Sequence, residues 1–399
     1  MLMSVALIFI AGLLIAAVFE KIKLPRIIGM LVTGIILGPY ALNVIDGSVL
    51  DISADLRQIA LIIILIKAGL SLNIEDLKRV GRPAVMMSCV PAGCEILAFV
   101  IFAPYIFGIS RIEGAVMGAV LAAVSPAVVV PRMVKLTESK WGTGKSIPQL
   151  IMAGASCDDI FVIVLFSTFV NMAQGGRAQI VDIVSIPVSI VTGILIGGAA
   201  GYILSVFFER AYLHNSYVRN STKVIIVLSI AFLLVAGENY IKTVVPVSGL
   251  IGVVSMACVL KIKSTDFVSK RLSQKFGKLW IGAEVMLFVL VGAAVDIRYS
   301  IKGGGGAVLM IFTALIFRAV GVLICLLKTK LNLKERIFCV IAYMPKATVQ
   351  AAIGSVPLAL GLDCGQTVLS VAVTAILVTA PLGALGIDAS YKRLLKREE

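Results

Sequence analysis

The sequence is poor in charged residues and contains a single histidine, His214. Charged residues make up 15% of the 399 residues, hydrophobic residues make up 59%, and the mean hydropathy is +1.05. A soluble globular domain carries about 25% charged residues, so this composition excludes that class. Because no stretch is polar enough to form a separate soluble domain, we expect one membrane domain over residues 1–399.

The sequence also lacks the usual patterns of metal sites and disulfide frameworks. Its seven cysteines show no Cys-x-x-Cys or Cys/His spacing and mostly lie in apolar runs, so we interpret them as reduced packing residues. A surface position is favoured over a pH sensor for His214, which lies in a loop. We expect no cofactor and no enzymatic activity. The net charge of +14 does not predict a nucleic-acid partner, because the basic residues lie in short loops between apolar runs.

Apolar runs of membrane-spanning length recur along the chain. The first has no basic leader region and no cleavage site, so we expect a retained helix rather than a signal peptide. An all-α polytopic membrane protein of about 13 transmembrane helices is predicted. The segments are 2–19, 25–42, 55–73, 83–107, 112–136, 147–171, 180–208, 222–238, 244–261, 280–299, 304–327, 335–360 and 367–388.

The distribution of lysine and arginine gives a check on this prediction that does not use hydropathy. The N-terminus and every second loop contain six of the 36 basic residues, the alternate loops and the C-terminal tail contain 27, and three lie within spans. Basic residues collect on the cytoplasmic side of membrane proteins. We therefore expect a plasma (inner) membrane protein with its N-terminus outside and its C-terminus in the cytoplasm.

The most basic loop, 261–278, mixes lysine and arginine with phenylalanine and leucine. Such a pattern is typical of an amphipathic helix resting on the membrane surface. We predict that the basic amphipathic segment 264–279 contacts lipids of the inner leaflet, although a solvated basic loop is also compatible with the pattern.

The two halves of the chain resemble each other at low level. Three pairs of short stretches match at offsets of 221, 225 and 219 residues: Leu24–Gly29 with Val245–Leu250, Leu65–Asn73 with Leu290–Arg298, and Ser125–Val130 with Met344–Val349. The matches predict repeat 1 over about 2–171, a linker helix over 180–208 and repeat 2 over about 222–388. Seven spans separate the equivalent segments, so the second copy enters the membrane from the opposite side. Inverted repeats of this kind are characteristic of secondary transporters.

Pro126 and Pro345 are related by the repeat, and each lies in the middle of its span. A mid-span proline removes a backbone hydrogen bond and disfavours helix in the residue before it, so we expect two broken helices. Broken helices at membrane depth occur only against protein or a water-filled cavity. The breaks are therefore predicted to cross, with Ser125, Lys346 and Thr348 as their polar groups and Lys346 offsetting exposed carbonyls.

Two adjacent carboxylates, Asp158 and Asp159, lie in an apolar run from Ile147 to Val170. Acids inside a span are a functional-site hypothesis by default. Carboxylate, hydroxyl and carbonyl oxygens are the ligands that hard cations prefer. Burial favours the protonated form of a carboxyl group, so a proton and a cation compete for the same oxygens. We predict that Asp158 and Asp159 bind the proton and a transported metal ion such as Na⁺ or Li⁺.

Two further charges within spans, Glu95 and Arg318, lie at an offset of 223 residues. Their opposite signs at related positions predict an ion pair, which we interpret as mainly structural, with direct ion coupling as the alternative. Lys67 and Glu284 either line a pathway or reach the membrane surface, and the sequence does not separate these roles.

These residues resemble the monovalent cation/proton antiporters, in particular the NHA-type sodium/proton antiporters, over essentially the whole chain. The most specific parts are Ser156–Asp159, similar to the paired-aspartate motif, Tyr343–Ala352, similar to the second crossover helix, and the early helix from Leu24 to Pro39. The resemblance implies a homodimer whose core domain, here 83–171 and 304–388, moves like an elevator against a dimerisation domain formed by the remaining helices. It also implies that Asp159 binds the ion and the proton, together with Asp158.

The chain departs from the family pattern at two positions. Bacterial members with paired aspartates commonly have a lysine where this chain has Arg318, and an arginine cannot release its proton at usable pH. Many relatives have an aspartate at the position of Ser125. These departures leave the choice between electrogenic and electroneutral exchange open.

The favoured function is therefore Na⁺(Li⁺)/H⁺ antiport by alternating access. K⁺/H⁺ antiport is an alternative, because the preferred ion depends on oxygen distances that a sequence does not give. A sodium-coupled symporter for an organic anion is a second alternative, although neutral amides and hydroxyls would be expected there. A gated channel or sensor is a third, for which a ring of pore charges would be expected.

Overall fold

A computed structural model describes residues 1–22, 24–71, 80–175, 180–213, 219–241 and 247–398, and all of its extended elements are helices apart from one isolated β-bridge. The helices are α1 (Leu2–Lys21), α2 (Arg26–Leu37), α3 (Gly47–Asp51), α4 (Ser53–Ser71), α5 (Arg82–Met87), α6 (Val90–Phe107), α7 (Arg111–Ala122), α8 (Pro126–Glu138), α9 (Ile147–Gln174), α10 (Ile180–Leu213), α11 (Asn220–Ile241), α12 (Gly249–Lys263), α13 (Asp266–Ala293), α14 (Ile297–Cys325), α15 (Leu333–Ala342), α16 (Thr348–Ile353), α17 (Val356–Ala359) and α18 (Gly365–Leu394).

Within the described residues, nine helices are long and apolar enough to cross a membrane. The predicted all-α membrane architecture is confirmed, while the number 13 and the inverted repeat stay predictions. One predicted span boundary is wrong: the apolar helix predicted over 280–299 is α13, which begins at Asp266 and ends at Ala293. The span of α14 begins at Gly304 as predicted, although the helix itself begins at Ile297. Hydropathy marks the apolar part of a helix, so a polar first turn is missed. His214 and Pro246 lie outside the described residues.

The chain forms two compact units, Met1–Arg57, Asn73–Ala173 and Val285–Glu399 in the first and Gln58–Leu72 and Gln174–Glu284 in the second. Both predicted core stretches, 83–171 and 304–388, fall within the first unit, which also contains the N-terminal helices. A division into a mobile core and a dimerisation domain concerns movement between parts, so it stays a prediction.

In the first unit, α6 packs against α7 and α14, and α14 packs against α18. The loop between α6 and α7 is defined at both ends. Gly108 ends α6 in the left-handed conformation (φ 69°), which costs glycine little. Ser110 then begins α7 with a capping box, in which its hydroxyl accepts from the Glu113 amide and the Glu113 carboxylate accepts from the Ser110 amide.

In the second unit, α10 packs closely along α12. A Cβ at Gly197 would overlap the backbone of Gly252, and one at Gly201 would overlap the backbone of Met256. Small residues at such positions allow helix backbones in a membrane to approach each other. The unit also contains Lys67, whose ammonium lies 5.4 Å from the ring centre of Trp280.

The basic amphipathic segment 264–279 forms the first part of α13 rather than a separate surface helix. Of its large apolar residues, Leu272 and Phe276 are buried in protein, whereas Phe267 and Leu279 are exposed. Half of the large apolar residues of this segment therefore pack inside the protein. Contact of this segment with the inner leaflet stays a prediction.

Candidate functional site

The first helix interruption separates α7 from α8. Helix α7 ends at Ala122 and α8 begins at Pro126, with Ser125 in extended conformation between them (φ −90°, ψ 108°). Proline is well tolerated in the first turn of a helix, and its ring pushes the preceding residue out of the helical region. The local sequence Ser125-Pro126 thus explains why the span restarts here.

The second interruption separates α15 from α16. Helix α15 ends at Ala342, α16 begins at Thr348, and Pro345 lies in the middle of the gap. The two interruptions meet directly, since the amide of Ser125 donates to the carbonyl oxygen of Pro345 at 2.8 Å. Ser125, Lys346 and Thr348 are all buried. The structure thus brings together all five residues that the sequence assigns to the breaks.

The end of α7 leaves backbone carbonyls without helical partners, as every helix end does. In this buried place side chains supply the donors. The bonds run from Lys346 Nζ to Leu121 O (2.6 Å), from Arg318 Nη1 to Ala122 O and from Gln350 Nε2 to Ala123 O (2.8 Å). Positive charge at the C-terminal end of a helix is favourable. Three side chains from α14, the second interruption and α16 therefore stabilise the first interruption.

Arg318 is 1% exposed and holds four groups at once. Besides the Ala122 carbonyl, its guanidinium donates to Tyr343 O (2.6 Å), Glu95 Oε2 (2.7 Å) and Asp158 Oδ2 (3.0 Å). A planar guanidinium has five N–H donors in a fixed arrangement, which a lysine could not reproduce. Arg318 thus links α6, both interruptions and the acid-bearing helix α9.

The expected pair of Glu95 and Arg318 is present, and the structure adds a third member. Lys346 Nζ donates to Glu95 Oε2 at 2.9 Å and lies 2.7 Å from Oε1. The backbone amide of Lys346 donates to Thr379 Oγ1 on α18 at 3.1 Å. Glu95 therefore balances two cations, and Lys346 is fixed at both its backbone and its ammonium group.

The two aspartates on α9 have different surroundings. Asp158 is fully buried, and its Oδ2 accepts from the Val124 amide at 2.8 Å and from Arg318. Its Oδ1 has no hydrogen-bond partner among the described residues, and neither has Oδ1 of Asp159, which is 7% exposed. Within the part of the chain described, no ion pair within 4 Å involves Asp159. Asp158 is thus anchored at one oxygen, and no cation of the described residues holds Asp159.

Further buried oxygens near the crossing have no hydrogen-bond partner within the described residues. They are Ser125 Oγ, Thr348 Oγ1, Gln350 Oε1 and the Tyr343 hydroxyl. The described chain contains no cluster of three His, Cys, Asp or Glu side chains that could hold a metal. A cation bound here would therefore combine the aspartate oxygens with hydroxyl or carbonyl oxygens, the set that hard cations accept.

Sequence reasoning missed several participants. Gln350, Tyr343 and Gly154 lie in the stretches that the sequence singles out, but no role could be assigned to them. Tyr343 lies against Gly154, where a Cβ would overlap its hydroxyl, so the glycine one turn before Asp158 makes room for it. Thr379 had no signal beyond a polar side chain in an apolar span. The seven cysteines are free thiols, and the structure assigns them no further role.

The chain is similar to known proteins over most of its length. The sequence matches the family described as "Sodium/hydrogen exchanger, transmembrane" over residues 5–389. Sodium/hydrogen exchanger 9B2 of Mus musculus is 34% identical over 388 residues, covering 94% of this chain and 69% of that protein. Sodium/hydrogen exchanger 9B1 of Homo sapiens is 32% identical over 364 residues, covering 86% of this chain and 67% of that protein.

Among solved structures, the sodium proton antiporter MjNhaP1 from Methanocaldococcus jannaschii at pH 8 superposes with a TM-score of 0.83. The alignment covers 98% of this chain and 99% of that chain at 20% sequence identity, so it shows a shared fold. The match of the family over nearly the whole chain confirms the resemblance noted in the sequence. The chain belongs to the transmembrane sodium/hydrogen exchanger family of cation/proton antiporters and is a multi-pass membrane protein.

Proposed function

We propose that this chain exchanges Na⁺ or Li⁺ for protons. The metal ion and the proton compete for the carboxylates of Asp158 and Asp159. The observation that carries the proposal is the charge of the buried site. Three carboxylates, Glu95, Asp158 and Asp159, face two cations, Arg318 and Lys346, so one negative charge is left over when all are ionised. An unbalanced buried charge is costly, so the site favours one bound monovalent cation or one bound proton.

Asp159 is the better candidate for the exchanging carboxylate. Asp158 already accepts from Arg318 and from the Val124 amide through Oδ2, and only its Oδ1 is left. Asp159 has no cation partner among the described residues. We therefore assign the proton and the metal ion primarily to Asp159, with Oδ1 of Asp158 as a second ligand.

The same charge balance supports a one-for-one, electroneutral exchange. Arg318 stays protonated at any usable pH. Lys346 is occupied by Glu95 and by the Leu121 carbonyl. Release of a proton from either would leave one cation to balance three buried carboxylates. Neither cation is therefore well placed to take part in proton transfer, and the carboxylates remain as the exchanging groups.

Alternating access of an elevator type completes the proposal. The groups that hold the ion all lie within 83–171 and 304–388, so these stretches can carry the site without disassembling it. We propose that the protein is a homodimer in the plasma (inner) membrane and that the other helices form the dimerisation domain. These assignments extend the family resemblance and await their own tests.

The direct test uses purified protein in proteoliposomes that contain a pH-sensitive dye. Addition of NaCl or LiCl in the absence of organic anions is expected to dissipate a preset proton gradient in wild-type vesicles. Absence of any response to Na⁺, Li⁺ and K⁺ would contradict cation/proton antiport at this site. A response to K⁺ alone would move the assignment to K⁺/H⁺ exchange.

A further inference from the structure

We propose that the first turns of α13 form a binding site for the phosphate headgroup of an anionic phospholipid. The site is a cavity of about 380 Å³ in the second unit. Its polar lining consists of Asn220, Lys270, Arg271, Gln274, Lys275 and Lys278. The volume falls within the range of about 300–1,000 Å³ that is usual for small-molecule sites. None of the described side chains that line it is acidic.

The four basic residues of this cavity and Gln274 lie on one face of α13. Residues 270, 274 and 278 follow each other at intervals of four, and 271 and 275 do so beside them, which places all five on adjoining rows of the helix. Val268, Leu272 and Phe276 lie on another face and are buried. The helix is therefore fixed to the protein by its apolar face and presents its basic face outward.

The four cations have no counter-ion among the side chains that the structure describes. In the described part of the chain, no carboxylate lies within 4 Å of Lys270, Arg271, Lys275 or Lys278. Like charges spaced four residues apart on a helix repel each other. A bound phosphate would remove this repulsion and accept hydrogen bonds from several donors at once. The arrangement thus favours an anion.

Exposed apolar side chains beside the cavity favour a lipid over free phosphate. Phe267 is 52% exposed with the Arg271 guanidinium 4.4 Å from its ring centre, and Leu279 and Ile281 are 40% and 54% exposed. Leu279 and Ile281 lie where α13 passes from its basic turns into its apolar run, as expected at a membrane surface, and Phe267 lies at the start of the helix. The headgroup would bind the basic face while the acyl chains follow Leu279 and Ile281. The predicted topology places this end of α13 at the inner leaflet, which is rich in anionic lipids.

The experiment measures thermal unfolding of the purified protein in neutral detergent with added phosphatidylglycerol, phosphatidylcholine or inorganic phosphate. Phosphatidylglycerol is expected to raise the unfolding temperature of the wild type, and phosphatidylcholine is not. The variant Lys270→Gln/Lys275→Gln/Lys278→Gln should need at least about ten times more phosphatidylglycerol for the same shift. The matched control, Lys328→Gln/Lys330→Gln/Lys334→Gln, removes three exposed lysines elsewhere and should respond like the wild type.

Two results would overturn the proposal. Equal responses of the triple variant and the wild type would show that lipid acts elsewhere. A full response to inorganic phosphate, with no further gain from phosphatidylglycerol, would show a free-anion site. In lipid-free detergent the triple variant should unfold no earlier than the wild type, because the change relieves like-charge repulsion, so misfolding is separated from loss of binding. None of these readings depends on transport, and the proposed antiport can fail or hold independently.

Discussion

The two helix interruptions are alike in the capping box and the proline that accompany them and different in charge. Each follows a helix that begins with a capping box, Ser110 with Glu113 before α7 and Asn332 with Glu335 before α15. Each contains a proline at the break. The first interruption has no charged side chain of its own, whereas the second contains Lys346. The first contributes backbone groups, and the second contributes side chains that bind them.

Under the proposed function, this difference accounts for one ion site at the crossing rather than two. Helix α9 contacts the first interruption and contributes two carboxylates, of which that of Asp158 accepts a hydrogen bond from the Val124 amide. Helix α18 contacts the second interruption and brings the hydroxyl of Thr379. Of these two helices, α9 alone therefore contributes acidic side chains to the crossing within the described residues. Arg318 and Lys346 compensate most of that negative charge and leave the equivalent of one proton or one monovalent cation.

The largest effect should come from removing the excess acid. Asp159→Asn should abolish exchange in proteoliposomes, because the two remaining carboxylates are then balanced by Arg318 and Lys346 and no excess negative charge is left for a proton or a metal ion to neutralise. Thermal unfolding should be unchanged or slightly raised, since one buried charge is lost. Asp51→Asn, at an exposed acid of the same unit, serves as the control. Wild-type exchange by the Asp159 variant would place the ion site elsewhere.

Loss of the shared guanidinium should cost the most stability. Arg318→Ala removes the guanidinium donor from Asp158, Glu95 and two carbonyls and should destabilise the protein by about 3–5 kcal/mol, the usual cost of breaking a buried pair. The change should be measured as thermal or denaturant unfolding in detergent. Arg318→Lys should recover only part of the loss, because an ammonium cannot reach all four partners.

The double variant Arg318→Ala/Glu95→Ala gives a sharper version of this test. Removing the carboxylate together with the guanidinium restores the charge balance, so the double variant should be less destabilised than the sum of the two single changes. If the losses in unfolding free energy of the two single variants simply add up in the double variant, Glu95 and Arg318 do not stabilise each other. The 2.7 Å contact between them would then make no net contribution to stability.

A smaller loss is expected when a neutral donor to the first interruption is removed. Gln350→Ala leaves the Ala123 carbonyl unsatisfied and should cost about 1–3 kcal/mol in unfolding, while exchange is retained. The comparison with Arg318→Ala separates the contribution of a hydrogen bond from that of a charge. A loss as large as that of the arginine variant would show that the carbonyl ends, rather than the acids, determine the stability of the crossing.

No effect at all is expected from the membrane potential. If one proton exchanges for one monovalent cation, a potential clamped with valinomycin should leave the exchange rate unchanged. Movement of one net charge would instead change the energetics by about 2.3 kcal/mol per 100 mV. A clear voltage dependence would mean that Lys346 or another group titrates during the cycle, and the charge assignment at the second interruption would have to change.

Much of this site could be predicted from the sequence because its strongest signals are local. Acids in an apolar run, as at Asp158 and Asp159, are expensive and therefore conspicuous, and a mid-span proline such as Pro126 restricts its neighbour directly. The pairing of Glu95 with Arg318 followed from opposite charges at related positions. Each of these inferences needs only a short stretch of sequence or a constant offset.

The contacts of Lys346 with Glu95, of Arg318 with Asp158 and of Gln350 with Ala123 could not be predicted. They depend on the angle and depth at which the two interruptions cross, which no short stretch of sequence determines. The basic segment shows the same limit in another form. Its periodicity correctly indicates an amphipathic helix, but the pattern is identical whether Leu272 and Phe276 meet lipid or protein.

The most direct test of the central claim is the number of protons released when sodium binds. Purified protein in weakly buffered detergent is titrated with NaCl while a pH indicator follows proton release and calorimetry follows binding. We expect about one proton per bound sodium ion, because both neutralise the same excess charge, and no release from the Asp159→Asn variant. Sodium binding to the wild type without proton release would contradict competition for a shared carboxylate.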